Sequence, residues 1–161
     1  MMPHEPVRDL MRRTMRNLEF IESHRSDTGP FEVTQLINSF LGAMAHPWET
    51  LKDELDSILI TDGMPKGWPE IRRGQASDEC PASLGDLIRL LRNGIAHGNI
   101  QFLPDATRQI SALHIENKNQ QGRRTWGCIL TPKEMKLFLQ QFVRIVEELD
   151  NRSAHNPSKI A

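Results

Sequence analysis

The stretch "LRNGIAHGNI", Leu91 to Ile100, sets a guanidinium, an amide and an imidazole close together: Arg92, Asn93 and His97. An ordinary helix end needs none of these groups. Around a phosphodiester each has a use. Arg92 can hold phosphate oxygens through its planar fork. Its fixed charge can stabilise charge that develops at phosphorus. An imidazole gives or takes a proton near neutral pH, which suits His97 to acid–base work. Asn93 can orient the imidazole or the substrate. One such set supplies a single histidine, whereas cleavage through an RNA 2′-hydroxyl asks for a base and an acid. A twofold dimer that joins two motif helices brings two histidines and two arginines into one cleft.

These residues need a helix to carry them. Ser83 is placed to cap one, with Leu87, Ile88, Leu91 and Ile95 on its apolar side. At 100° per residue, Asp86, Arg89, Asn93 and His97 share the opposite side. Arg92 sits at the edge next to Ile88, with reach over the polar face. Gly98 suits the left-handed residue that ends a helix. The same pattern also describes a plain polar outer face closed by a glycine cap. Histidine near a helix C-terminus is favoured by the dipole in any case. The spacing alone does not separate the two readings.

The flanking chain reads as mainly helical. From Val7 to about His24, apolar groups recur at Val7, Leu10, Met11, Thr14, Leu18 and Ile21, with Asn17 on the apolar margin. "SDTGP" then breaks the helix. A second helix runs from about Phe31 to Ala45, with Val33, Leu36, Ile37, Phe40, Leu41 and Met44 inward. In it, Gly42 offers a place for another helix to approach closely. "WETLKDELDSIL" continues as helix, and "TDGMPKGWPEIRRGQASDECP" reads as a long loop. After Gly98 the apolar period changes to two. "IQFL", "ISALHIEN" and "RTWGCIL" read as strands, with a hairpin at "KNQQGR" and either Trp126 or Ile129 partly buried. "TPKE" opens the last helix as a capping box, Thr131 to Glu134. Its stripe is Leu137, Phe138, Phe142, Ile145, Val146 and Leu149. The expectation is one domain over residues 1–150 and a frayed tail over 151–161.

Composition narrows the class. The chain has 161 residues and a formal net charge of −1, so no global basic field draws in nucleic acid, and any RNA contact uses a local patch. Two cysteines, Cys80 and Cys128, are too few for a disulfide framework and read as free thiols of a reducing, cytoplasmic setting. The N-terminus lacks the apolar core of a signal peptide, and no run of about 18 apolar residues predicts a membrane span.

Other candidates carry less. Asp53, Glu54 and Asp56 in "KDELD" read as a solvated helix face, since no histidine stands at ligand spacing. His24, His46 and His114 are scattered, so no metal site and no cofactor is expected. Arg12, Arg13 and Arg16 read as an exposed charged face. Asn17, Gln35 and Asn38 are expected half-buried, as hydrogen bonds between helices or as lining of the cleft beside Arg92. Arg89 and Asn17 are the candidate substrate-binding residues. Trp48, Trp68 and Trp126 read as packing groups rather than base-stacking platforms.

Arg92-Asn93-x-x-x-His97 resembles the R-x4-6-H motif of the HEPN superfamily, with its polar residue just after the arginine. "LRNGIAHGNI" followed by "F" looks like a plasmid- and phage-associated HEPN subfamily. "FEVTQLINSFLG" resembles that subfamily's second helix, and "W...LTPKEMKLFLQQF" its final strand and helix. The resemblance implies a helical bundle, here with a small β-hairpin or three-stranded insert before the last helix. It further implies a homodimer and metal-independent RNA cleavage in host defence or a toxin–antitoxin pair. Arg92, Asn93 and His97 are then the catalytic residues, RNA the substrate and an antitoxin protein a partner. The alternative is a non-catalytic dimeric module that binds RNA, a nucleotide or a protein through the same cleft. A third reading is a pure interaction protein.

Overall fold

The computed structural model describes residues 5–24, 32–45 and 47–155. The element order is α1 (Glu5–Ser23), α2 (Glu32–Ala45), α3 (Pro47–Asp56), α4 (Leu84–Ala96), β1 (Ile100–Pro104), β2 (Ile110–Lys118), β3 (Arg124–Leu130) and α5 (Pro132–His155). Among the described residues the fold is mainly helical, with one antiparallel sheet in the order β1-β2-β3. The break at "SDTGP" and the position of His46 lie outside the described residues, as do the side chains of Val7 and Trp48.

α5 organises the helical side. Its capping box forms as expected. The Glu134 amide donates to the Thr131 hydroxyl at 3.2 Å, and the Thr131 amide donates to the Glu134 carboxylate at 2.8 Å. The buried stripe is Met135, Phe138, Leu139, Phe142 and Val146, while Leu137, Ile145 and Leu149 are half-buried. Phe138 is the hub. It meets Phe40 of α2 edge-on at 5.6 Å between ring centroids, and Trp68 at 4.9 Å. The helix continues to His155, five residues past the boundary expected at 150. The expected tail is therefore helical from Asn151 to His155, and 156–161 lie outside the described residues.

α2 turns its expected face inward, with Leu36, Ile37, Phe40 and Met44 buried, while α1 differs in part from the sequence reading. α1 packs on α2 and α5 along Met11, Met15 and Leu18. That line lies about 100° round the helix from Leu10, which is 44% exposed. Met11 and Leu18 of the expected stripe therefore lie on the contact line, and Leu10 lies off it. Asn17 is consequently exposed, not half-buried, and so is Asn38. Neither makes the expected hydrogen bond between helices among the described residues. Gln35 instead donates to Ser39 within α2 at 3.4 Å. Gly42 is also corrected. Among the described residues a Cβ added there would meet nothing within 4 Å, so none of the described elements approaches α2 closely at that point.

The sheet turns Leu113, Ile115, Trp126, Cys128 and Leu130 inward, all fully buried. His114 and Ile129 face each other on the other side, and Ile129 is 53% exposed. Of the two hairpin candidates, Trp126 is therefore the buried one, a packing group as expected. The long loop is irregular but fastened. Along the free edge of β3, the Gly74 amide donates to the Gly127 carbonyl at 2.8 Å and the Glu79 amide to the Thr125 carbonyl at 2.9 Å. Arg124 locks this arrangement. It donates to both oxygens of Asp78, at 3.1 and 2.8 Å, and to Glu116 at 2.7 Å.

Candidate functional site

α4 is positioned at both ends by its own sequence. At the start, Ser83 is the N-cap, its hydroxyl accepting from the Asp86 amide at 3.1 Å. The incoming chain is fixed by the Leu84 amide, which donates to the Ile58 carbonyl at 2.8 Å. Ser83→Ala should cost about 1 kcal/mol, read as a lower urea midpoint with an unchanged slope. At the finish, His97 is the C-cap residue, with φ −92° and ψ 6°. The Gly98 amide donates to Ile95 at 3.0 Å and the Asn99 amide to Gly94 at 2.8 Å. That pair of bonds is the Schellman arrangement, and Gly98 takes the left-handed conformation it requires at φ +68°.

The buried side of α4 is Leu84, Gly85, Leu87, Ile88, Leu90, Leu91 and Gly94. Its main neighbours are β2, α3 and α2. The polar groups therefore fall where the wheel put them. His97 is exposed, and Arg89, Arg92 and Asn93 are half-buried. Arg89 lies 3.7 Å from Asp86, an ion pair at the surface that is worth little. The structure thus brings Arg89, Asn93 and His97 onto one stripe, with Arg92 at its edge. Among the described residues no hydrogen bond joins the Asn93 amide to the His97 imidazole. Asn17 belongs to α1, which packs on α2 and α5 rather than on α4 as a main neighbour. Among the described residues no hydrogen bond joins it to the stripe.

The end of the motif helix carries a guanidinium, an amide and an imidazole in solvent reach, on a turn pinned to the sheet. Over residues 1–153 the chain matches the family model HEPN pEK499 p136. This chain belongs to that HEPN family. No curated protein and no solved structure matches it at a significant level. Within a HEPN chain, Arg92-x4-His97 is the stretch that fits the superfamily's motif, and α4 is the helix that carries it. Among the described residues no three His, Cys, Asp or Glu side chains group as metal ligands, and no helix is long and apolar enough to cross a membrane. Cys80 is exposed and Cys128 buried, and burial pushes the Cys128 thiol up, which leaves it inert as a nucleophile. Sequence reasoning missed the close seat of α4 on β2 at Gly94. Its one signal was a glycine inside a helix, where propensity disfavours it.

Proposed function

We propose that this HEPN protein is a metal-independent endoribonuclease acting as a homodimer, in host defence or as the toxin of a toxin–antitoxin pair. The observation that carries the reading is the arrangement of Arg92, Asn93 and His97 at the accessible end of α4 in a chain of this family. A second copy across a twofold axis supplies the second histidine. One His97 then takes the proton from the RNA 2′-oxygen as that oxygen attacks phosphorus. The other gives a proton to the departing 5′-oxygen. The products are a 2′,3′-cyclic phosphate and a 5′-hydroxyl. Arg92 holds and neutralises the phosphate, and Asn93 orients. Arg89 exchanges its Asp86 partner for a flanking phosphate, and Asn17 contacts RNA beyond the cleaved bond.

The alternative is a dimeric module that binds RNA, a nucleotide or a cognate protein without turnover. It draws on one feature: no side chain among the described residues orients the His97 imidazole by a hydrogen bond. An RNA cleavage assay with and without EDTA separates the two. Binding without cleavage in either condition selects the module.

Assembly is tested independently. Light scattering at micromolar concentration should give twice the 18.5 kDa chain mass. A clean monomer removes the composite site. Charge reversal at Arg89, on the stripe expected to face the partner, should shift the mass toward monomer.

A further inference from the structure

We infer that β2, and not α4 alone, positions His97: Gly94 is the seat on which the last turn of the motif helix rests, and Asn99 is the latch that holds it there. The inference rests on the reading of His97 as a proton-transfer group, and it assigns roles to residues outside the motif.

The geometry at Gly94 is unforgiving. A Cβ added there would lie 2.5 Å from the Glu116 carbonyl oxygen and 2.7 Å from Ile115 Cγ2. Ordinary contact begins at about 3.4 Å. The closest atom is backbone in the central strand of the sheet, so it has little freedom to retreat. Any side chain at 94 must lift the last turn of α4 by close to an ångström. That turn runs from Asn93 to His97, so the imidazole moves with it. The latch completes a closed circuit. The Asn99 amide donates to the Gly94 carbonyl at 2.8 Å, and the Asn99 carbonyl accepts from the Glu116 amide at 2.9 Å. Glu116 is thus the strand residue that meets both ends of the segment 94–99. His97 lies inside this circuit, with Gly98 supplying its left-handed corner.

The other packed glycine of α4 provides a control. A Cβ at Gly85 would collide with the Asp56 carboxylate and lie 3.0 Å from the Asp56 nitrogen. Gly85 therefore seats the opposite end of the same helix on α3. Substitution there loosens α4 without touching the turn that bears His97.

The test compares Gly94→Ala, Gly98→Ala and Gly85→Ala in the full chain. It uses a labelled single-stranded RNA and the His97 imidazole resonance, assigned through His97→Ala. A misplacement of about 1 Å at a reacting group can lower the rate by about 100-fold. Gly94→Ala should lower kcat by that order, leave KM unchanged and move the His97 resonance but not that of His24, which stands beside Phe20 and Ser23 of α1. Gly98→Ala strains the backbone in open space, so it folds even where Gly94→Ala does not. It should shift kcat and the His97 resonance in the same sense. Gly85→Ala should lower Tm while kcat and the His97 resonance stay at wild type. Wild-type kcat and a wild-type His97 resonance in folded Gly94→Ala overturn the inference. So does a loss in Gly85→Ala that matches Gly94→Ala at equal loss of Tm. A wild type that cleaves no RNA while Gly94→Ala still displaces the His97 signal keeps the seat and removes the ribonuclease reading.

Discussion

His97→Ala and Arg92→Ala should each remove most RNA cleavage while the fold and the dimer persist. His97 is exposed at the C-cap of α4, and Arg92 is half-buried at the edge of its polar stripe. Truncating either opens no core cavity, which is the usual source of large stability losses. Loss of a positioned acid–base group costs about 10²–10⁴ in rate. Loss of a group that stabilises charge in the transition state costs about 10²–10³ by the same electrostatic reasoning. Asn93→Ala should be milder if Asn93 only orients. The effects belong in kcat, since protons move in the transition state, whereas Arg89→Ala should act on KM. EDTA should leave the wild-type rate unchanged.

The alternatives make different demands of the same proteins. A binding module shows RNA affinity without turnover, and Arg92→Ala weakens it more than His97→Ala. An interaction protein shows neither activity nor RNA affinity. Wild-type dimer that leaves diverse RNAs uncut, with and without the product of a neighbouring gene, decides for one of these. Mixed dimers offer a sharper check. His97→Ala combined with wild type should lose activity in the heterodimer if both histidines serve one phosphodiester. Half-activity per mixed dimer would instead mean two independent sites.

Local rules carried much of the fold into view. Ser83, Gly98 and the Thr131–Glu134 box mark helix ends by chemistry that a few neighbouring residues complete. The change of period after Gly98 gave the strands, and β3 begins and ends with "RTWGCIL" as read. What escaped depends on which surfaces meet, and that is not local. Gly42 and Gly94 are both glycines inside helices. One faces open space and the other sits against the backbone of β2. Leu10 and Met11 are neighbours of similar apolarity, and only the line of approach of α2 and α5 makes one exposed and the other buried. The site shows the same division. Arg92, Asn93 and His97 were legible because they lie on one helix whose faces follow from a fixed rotation per residue. The seat at Gly94, and the exposure of Asn17, required the packing of separate elements.

One contact hidden by sequence separation is Arg124 with Asp78, and its removal should give the largest stability loss outside the core. The two are 46 residues apart, and Asp78 is 4% exposed. Arg124 beside it holds the Asp78 carboxyl below its usual range, helped by the Gln75 amide, while burial opposes. Arg124→Met leaves that buried carboxylate without its cation. Breaking a buried pair from one side costs about 3–5 kcal/mol. The loop over 74–79 should then leave the edge of β3, exposing an unpaired strand to other chains. Gly74 and Gly127 both lie against the guanidinium, so the same change also opens a gap between loop and strand. The pH dependence fixes the cause. A carboxyl lowered in the folded state contributes stability above its unfolded value of about 3.9. That contribution is lost as pH falls through the folded value. In Arg124→Met the lowering by the guanidinium is gone, so the Asp78 carboxyl moves back toward its unfolded value and that contribution shrinks. The gap between wild type and Arg124→Met in urea unfolding should therefore be widest at neutral pH and narrower at about pH 3. An equal gap at both values would show that Arg124 stabilises the loop by packing its stem, and not through the charge on Asp78.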